Sequence, residues 1–475
     1  MGSIRNIFLL SMVLSFLSTL SGQNISPGMW NSRAEAEMEM EAVRKQIKAP
    51  GFKNKDYDVT QYGALGNGAS MNTEAFKAAI EACHKGGGGR VVVPAGIYMT
   101  GPIYLKSNVN LYIDESAVIM FSQDPKDYPL VMSRWEGMDC INYSAQIYAY
   151  KEKNIAVTGG GTIDGNANNS AWWPWKGKEE FGYRKGDPHQ AKARDALHEM
   201  MHQRVDPKQR VFGDGHYLRP SMFQSYECEN VLISGVRLMN SPMWFIAPVL
   251  CENVIIEKVH IEAHGPNTDG CDPDACKNVL IKDCYFNTGD DCIAIKSGRD
   301  EDGRDRKQAA ENHIIEGCKM EDGHGGVVIG SEIAGGARNI FIQNCNMSSP
   351  DLWMILRIKT SSSRGGVIEN IFMKDIEVGQ YRDAAIHCTM FYEKPGEFIP
   401  AVRNIWVENL KVSKGGKFGV FANTYPESPL KNLKMVNCQI DGVDTPFSMD
   451  HFKNLELSNV VVNGKLMDQN EVGKK

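Results

Sequence analysis

The chain has 475 residues, a formal net charge of −6, 42% hydrophobic residues and 23% charged residues. These fractions are those of an ordinary globular protein, and the length suits one very large domain or two to four ordinary ones. The negative balance gives the chain as a whole no electrostatic affinity for nucleic acid. A polyanionic ligand would therefore need a local basic site.

The first 22 residues read as a signal peptide. Arg5 supplies the positive charge, Ile7 to Leu20 form an apolar run, and Ser21 and Gly22 are small, as cleavage sites require. The run is short for a membrane span, and no second apolar segment follows it. The sequence thus predicts an exported protein, periplasmic or extracellular, without a membrane anchor.

The next segments precede the main repeat. Residues 23–55 are assigned to an N-terminal helical segment. After a strand and a Gly-rich turn, a helix is predicted to begin near Asn72 or Thr73, both good N-cap residues, and to end between Gly86 and Gly89.

From residue 153 onward the chain repeats one phrase, a charged or polar residue, Asn, and then alternating apolar residues. Examples are "ENVLISGVRL" at 229, "KNVLIKDCYF" at 277 and "RNIFIQNCNM" at 338. The asparagines stand at 154, 230, 253, 278, 312, 339, 370, 404, 432 and 454, and from 230 onward the steps are 22 to 34 residues.

A period of this length indicates stacked supersecondary units, and the two-residue alternation indicates strands. Leucine-rich repeats are the rival, but their Leu-x-x-Leu-x-Leu frame is absent. The prediction is an all-β chain, a right-handed single-stranded parallel β-helix over residues 56–465 with a tail at 466–475. The asparagines would stack at one corner, and the helix after Asn72 would cap the open N-terminal end, where apolar core and strand edges are otherwise exposed.

Four cysteines lie six residues after a ladder asparagine, where other coils carry Val, Ile or Leu: Cys284, Cys318, Cys345 and Cys438. Cysteine packs as a small hydrophobe, so these are predicted to be buried free thiols. Whether Cys271 pairs with Cys276 stays open at this stage.

Residues 164–218 interrupt the repeat with a long insertion. Within it, "HEMMH" at 198–202 matches the helical zinc signature. No Gly-x-x-His follows and no protease domain surrounds the motif, so zinc proteolysis is disfavoured. The insertion is predicted to hold a helix near a cleft, with no metal.

Four polar segments recur at intervals of about one coil: "NTDG", "GDDC", "GHGG" and "RIK". Equivalent residues of successive coils lie about 4.8 Å apart, which places Asp269, Asp291, His324 and Arg357 on one face. The set spans roughly 14 Å, the length of a few sugar rings.

Alternation refines the orientation of these side chains. Ile293 and Ile295 point into the core, so Lys296 points outward in phase with Asp290. Asp291 would point inward unless the chain bends at the strand start.

Asp269, Asp290 and Asp291 form a cluster in which repulsion raises at least one pKa and leaves a proton donor beside anionic bases. That arrangement suits glycoside cleavage. Arg357 and Lys359 would bind a sugar carboxylate. The alternative is a surface ion network without function.

In this order and spacing, the four motifs resemble those of the polygalacturonases of glycoside hydrolase family 28. The likeness includes the segment "VTQYGALGNG" and runs from about residue 56 to 462. The resemblance implies a parallel β-helix that hydrolyses pectic α-1,4-galacturonides with inversion and without a cofactor. The implied partner is a pectic polysaccharide or oligogalacturonide, and the oligomeric state stays open.

The resemblance also implies residue roles. Asp290 would be the general acid, Asp269 and Asp291 would activate the water, and His324 would order the hydrogen bonds of the acid. Asn267 would brace Asp269.

Substrate binding falls to a second set of residues. Arg357 and Lys359 would hold the carboxylate of the sugar on the leaving-group side, and Tyr392 would pack beside it. Lys296 would serve the sugar at the non-reducing end.

The insertion and the "YEKPGEF" extension after Tyr392 predict a closed cleft and action from chain ends. Trp172, Trp173 and Trp175 would offer stacking surfaces to sugars. The alternatives are an insertion that packs away from the cleft, an endo-acting polygalacturonase, a rhamnogalacturonan-type hydrolase, a pectate lyase, or a non-catalytic carbohydrate-binding β-helix.

Overall fold

A computed structural model describes residues 30–470 and residue 472. The predicted signal peptide lies outside the described residues. Within them, no helix has both the length and the apolar character needed to cross a lipid bilayer.

The strands stack into three faces, and successive coils pair in parallel, which is the predicted β-helix. Two antiparallel pairs are additions to it: the hairpin Leu130–Trp135 and Met138–Tyr143, and Lys465–Leu466 against the last coil.

The first face starts beside the ladder asparagines. Its strands are Asp56–Asp58, Gly89–Val93, Val109–Ile113, Lys153–Gly159, Glu229–Ser234, Glu252–Glu257, Lys277–Lys282, Ala310–Glu316 and Ala337–Gln343. The second face holds Asn67–Met71, Gly96–Thr100, Ala117–Phe121, Thr162–Asp164, Arg237–Met239, His260–Ala263, Tyr285–Thr288, Lys319–Met320 and Asn346–Met347. Four long strands then run through both faces: Val367–Gln380, Ala401–Lys414, Leu430–Ile440 and Phe452–Val462.

The third face carries the motifs of interest. Its strands are Ile103–Tyr104, Ile147–Tyr150, Phe223–Tyr226, Ile293–Ile295, Val327–Gly330, Met354–Lys359, Ala384–Thr389, Phe418–Asn423 and Thr445–Asp450. Single parallel bridges at Ile246 and Cys271 join its two halves into one continuous surface.

The asparagine ladder lies at one corner, as predicted. All of its members adopt the left-handed conformation, with φ between +54° and +66°, which Asn tolerates better than most residues. At every step except that from Asn278 to Asn253, the side-chain amide donates to the preceding asparagine at 2.7–3.2 Å. Asn108 extends the ladder by one coil, and Asn253, whose Oδ1 is buried without a partner, marks a break in it.

The helices lie outside the coils. Helix α1 (Arg33–Gln46) packs Met40 and Val43 against Phe341 and Trp406 on the outer surface of the first face. Helix α2 (Thr73–Lys85) covers the N-terminal end of the core, within the predicted limits. Helix α3 (Ala191–His202) belongs to the insertion, and α4 (Asp300–Arg306) follows the third-face strand Ile293–Ile295. Short 3₁₀ turns occur at Val59–Tyr62, Pro125–Asp127, Trp173–Lys176, Glu179–Phe181 and Pro207–Gln209.

The insertion packs against the antiparallel hairpin and not away from the coils. Leu197 and Met201 of α3 share a core with Trp135 of the hairpin and with Trp244. The insertion is therefore fixed beside the third face.

All twelve cysteines are buried free thiols. This agrees with the prediction for the four ladder positions, and it resolves the open question of Cys271 and Cys276, which are unpaired.

Candidate active site

The paired carboxylates lie at the corner between the second and third faces. The chain turns at Gly289, where a Cβ would come within 2.6 Å of the carbonyl oxygen of Gly265, so only glycine fits this close approach. The turn directs Asp291 away from the core, and its carboxylate contacts Lys359 Nζ at 2.6 Å and Arg357 Nη1 at 3.4 Å. The bend that the sequence required is present.

Asp269 joins this pair from the preceding coil. One carboxylate oxygen from each of Asp269, Asp290 and Asp291 lies within 4.8 Å of the other two. Asp269 and Asp291 are buried, with 3% and 0% of their surface exposed, whereas Asp290 is partly open to the groove.

Among the three aspartates of the cluster, Asp290 has the most hydrogen-bond partners. His324 Nδ1 lies 2.9 Å from its Oδ1, which also accepts from the backbone N–H of Asp291 at 3.0 Å. Asn267 Nδ2 lies 3.4 Å from its Oδ2. The expected brace of Asp269 by Asn267 is wrong, because the amide of Asn267 turns toward Asp290. The Oδ1 of Asp269 has no partner.

The raised pKa of the cluster belongs to Asp269. Burial and then the charge of Asp290 raise the pKa of Asp269 well above its ordinary value. Burial also acts on Asp290, but the hydrogen bond and charge of His324, with Lys359 nearby, outweigh it and lower the pKa of Asp290. In the absence of substrate, a proton taken up by the cluster therefore binds Asp269 before Asp290, which differs from the expectation that the proposed acid, Asp290, holds it.

The predicted cations stand next to the cluster on the third face. Arg357 and Lys359 have 8% and 5% of their surface exposed, and the ring of Tyr392 covers both, at 5.4 Å and 5.1 Å from its centroid. Tyr392 itself is 41% exposed. A ligand carboxylate entering here would meet two fixed positive charges and an aromatic edge.

Lys296 lines a pocket that also includes Asp269, Asp290 and Lys359, but only 3% of its surface is exposed. Its Nζ lies 3.1 Å from Glu332 and 3.2 Å from Asp272, and 4.6 Å from the ring centre of Trp244. Burial raises the pKa of Asp272 to about 8, against the opposing charge of Lys296. Lys296 is thus held by two acids and an aromatic ring at the floor of the pocket.

A group of ion pairs lines one side of the pocket. Arg299, 2% exposed, contacts Glu332 at 2.7 Å and Glu393 at 3.1 Å. Glu393 also contacts Arg364 at 2.5 Å. We call Arg299, Glu332, Glu393 and Arg364 the charged wall.

The insertion and the hairpin complete the enclosure. Arg194 of α3 contacts Glu136 of the hairpin at 2.7 Å, and Lys176 Nζ donates to Asn267 at 2.7 Å. Glu136, Arg194, Lys176 and the charged-wall residues Arg299, Glu332 and Glu393 all line the pocket, whose volume is about 200 Å³. That is below the roughly 300–1,000 Å³ of pockets for drug-sized ligands, and it suits a single sugar ring.

Trp172 does not offer the stacking surface for sugars that the sequence predicted. It is 2% exposed and packs edge-on against Tyr128 and Trp175 inside the insertion. Trp173 donates its indole N–H to the carbonyl of Ser241 at 3.0 Å. These rings stabilise the insertion, which contributes the cations Lys176 and Arg194 to the pocket.

Two clusters in the described part of the chain have ligand atoms close enough for a metal ion: the three aspartates, and His202 with Asp300 and Glu301. In the second cluster both acids are already paired, Asp300 with Arg364 and Glu301 with Arg304.

The site residues on repeated coils could be predicted from the sequence, whereas most of the pocket residues on loops could not. Glu136, Arg299 and Glu332 follow no periodic pattern, and each acquires its position from contacts distant in sequence. The only signal was their placement in segments that interrupt the repeat.

Comparisons with known proteins agree with this geometry. The family model described as "Glycosyl hydrolases family 28" matches residues 212–470. A "Probable polygalacturonase" of Vitis vinifera is 30% identical over 66% of this chain and 59% of its own length. An "Exo-poly-alpha-D-galacturonosidase" of Dickeya chrysanthemi is 27% identical over 71% of this chain and 57% of its own length. The chain thus spans less than two thirds of these two relatives.

Among solved structures, the similarity extends over nearly the whole chain. The crystal structure of a hyperthermoactive exopolygalacturonase from Thermotoga maritima is 40% identical, with a TM-score of 0.87. The match covers 91% of this chain and 97% of that one.

Proposed function

Because the chain belongs to glycosyl hydrolases family 28, we propose that it hydrolyses the α-1,4-galacturonosidic bonds of polygalacturonate, from the chain end. The observation that supports this proposal most is one pocket lined by carboxylates of the aspartate cluster, by Lys359 and by charged-wall residues, with Arg357 beside Asp291. The solved relative that is 40% identical, an exopolygalacturonase, supports it.

In this reaction the scissile bond lies over the aspartate cluster. Asp290 donates a proton to the leaving oxygen through its more open Oδ2, while His324 fixes its Oδ1. Asp269 and Asp291 hold the water that attacks the anomeric carbon and take up its proton. Water is added across the bond, so the products are a released sugar and a shortened chain.

Because its pKa is lowered, Asp290 must acquire its proton when the substrate binds. In the absence of substrate, the hydrogen bond and charge of His324, together with the charge of Lys359, hold this pKa down. A galacturonate carboxylate that pairs with Lys359 and Arg357 cancels part of that charge, so the pKa of Asp290 rises when substrate binds. The proton held by the cluster can then shift from Asp269 toward Asp290.

Action from the chain end follows from the charged wall. A polymer threading across the coils would have to pass Arg299 and Glu393, which are paired at 3.1 Å. The terminal sugar therefore enters the pocket above Lys296, and the rest of the chain extends past Arg357 toward the C-terminal coils.

The stereochemical outcome has its own test. Nearest oxygens of the three aspartates lie within 4.8 Å, whereas the two carboxyl groups of inverting glycosidases are typically about 6.5–9.5 Å apart. Inversion is therefore proposed from the family resemblance alone. Proton NMR during the first minutes of digestion should show the β-anomer of the released sugar, and an initial α-anomer would exclude inversion.

Products from polygalacturonate test the activity itself. We expect monomer or dimer from the first minutes while the viscosity falls slowly. A rapid viscosity drop with a ladder of mid-sized oligomers would refute end-wise action, and an unsaturated, ultraviolet-absorbing product would indicate a lyase. We propose, on the basis of residues 1–22, that the enzyme meets this substrate outside the cytoplasm.

A further inference from the structure

The groove continues beyond the two cations toward the C-terminal coils. Strand Ala384–Thr389 pairs with strand Met354–Lys359 in a register that places His387 beside Arg357. The following strand places Phe421 beside His387. The alternate positions on these strands belong to the core, so these three side chains form one row along the outside of the third face.

The ring of His387 is fixed in this row. It stacks on Phe421 with ring centroids 4.9 Å apart and planes 18° apart. Its Nδ1 is buried without a partner, which leaves Nε2 as the nitrogen that can meet a ligand. Burial, with the charges of Arg357 and Lys359, lowers the pKa of His387 to about 4, so the ring is neutral near pH 7.

One coil of the fold advances the groove by about 4.8 Å, close to the length of one pyranose unit. Arg357 and Lys359 are assigned above to the sugar next to the cleaved bond. The next sugar of the departing chain therefore lies over the coil of His387.

We propose that His387 is a substrate-binding residue for the second galacturonate on the leaving-group side, to which it offers a neutral imidazole hydrogen bond. This inference rests on the proposed function and extends it to chain-length preference. Digalacturonate fills the pocket and the site of Arg357 only, whereas trigalacturonate also reaches His387. The enzyme should therefore have a higher kcat/KM for the trimer than for the dimer.

The test compares kcat/KM for tri- and digalacturonate in variants. His387→Phe keeps the ring stack and removes the nitrogen, and we expect the trimer-to-dimer ratio to fall about 5–10-fold, the effect of one lost hydrogen bond. His387→Gln keeps a donor and should retain most of the ratio. His260→Phe is the matched control, because His260 stacks on Tyr285 at 4.4 Å and 21° on the second face, away from the groove.

An unchanged ratio in His387→Phe would overturn the assignment while leaving the proposed hydrolysis intact. Equal kcat/KM values for the two substrates in the unaltered enzyme would overturn it as well, and that measurement needs no variant. If galacturonate oligomers are not cleaved at all, the proposed function fails and the inference fails with it. Thermal unfolding of each variant establishes that the fold is retained.

Discussion

At the scale of single residues, the site depends on how Asp290 is held. Its two oxygens have different surroundings, because Oδ1 accepts from His324 and from the backbone of Asp291, whereas Oδ2 has only the long contact with Asn267. An acid that must present one proton in one direction benefits from this asymmetry.

Replacement of Asp290 by Asn preserves the acceptor for His324 but cannot deliver a proton. We expect hydrolysis of polygalacturonate to fall by roughly 10²–10⁴-fold, measured as release of reducing sugar, with an unchanged circular dichroism spectrum. Asp444→Asn, an exposed aspartate outside the groove, serves as the control and should be fully active. Near-normal turnover in Asp290→Asn would remove this residue from the mechanism.

The two cations should matter chiefly for substrates that carry a carboxylate. Arg357→Ala or Lys359→Ala should each cost about 2–4 kcal/mol in kcat/KM on galacturonides. Lys359→Ala also leaves the buried carboxylate of Asp291 with one partner fewer. Lys434→Ala, whose amine lies over Trp406 on the first face, is the control. Unchanged kinetics in both groove variants would place the cations outside the binding site.

At the scale of elements, most coils follow the apolar pattern, but strand Ala310–Glu316 carries an exception. His313 is fully buried in the column where neighbouring coils have Val279 and Ile340. Its Nε2 contacts the carbonyl of Cys276 at 3.1 Å, and its Nδ1 has no partner. Burial lowers the pKa of His313 to about 4.

This histidine makes stability depend on pH. Between the unfolded pKa of about 6.5 and the folded value of about 4, the unfolded chain takes up a proton that the folded chain refuses, so the free energy of unfolding falls as pH falls through this window. The loss reaches about 3 kcal/mol. His313→Val should flatten the pH dependence between pH 7 and 4 in denaturant unfolding. The same slope in both proteins would show that other groups control it.

At the scale of the whole molecule, the charged wall joins segments that are far apart in sequence. Arg299 follows strand Ile293–Ile295, Arg364 follows the strand of Lys359, and Glu393 belongs to the next coil. The wall separates the 200 Å³ pocket from a second pocket of about 790 Å³, and Arg194, Arg299 and Glu393 line both.

Removal of Glu393 should join the two pockets and take one acidic partner each from Arg299 and Arg364, so that these cations can bind another uronate. We expect Glu393→Ala to release longer products early in the digestion of polygalacturonate, detected by size-resolved chromatography. Glu397→Ala, an exposed acid on the same loop, should keep the original product pattern. If Glu393→Ala also keeps it, the closed end of the groove is set by the insertion alone.

The sequence alone determined the β-helix, because each coil must repeat its neighbour's contacts. The ladder asparagines, the core alternation and the slots of the buried cysteines recur with the coil and are visible as a pattern. The same rule aligned Asp269, Asp291, His324 and Arg357, since residues one coil apart become neighbours on one face.

Only the tertiary structure decided what surrounds these residues. The hydrogen bond of Asn267 to Asp290, the burial of Trp172 and the pairing of Glu393 with Arg299 involve loops and insertions that obey no period. The pKa shifts could not be assigned from sequence either, because the raised pKa of Asp269 and the lowered pKa of Asp290 depend on burial and on the contact of His324 with Asp290. Repetition fixes the relative positions of strands, whereas the closure of the pocket results from side chains that meet only once the coils are stacked.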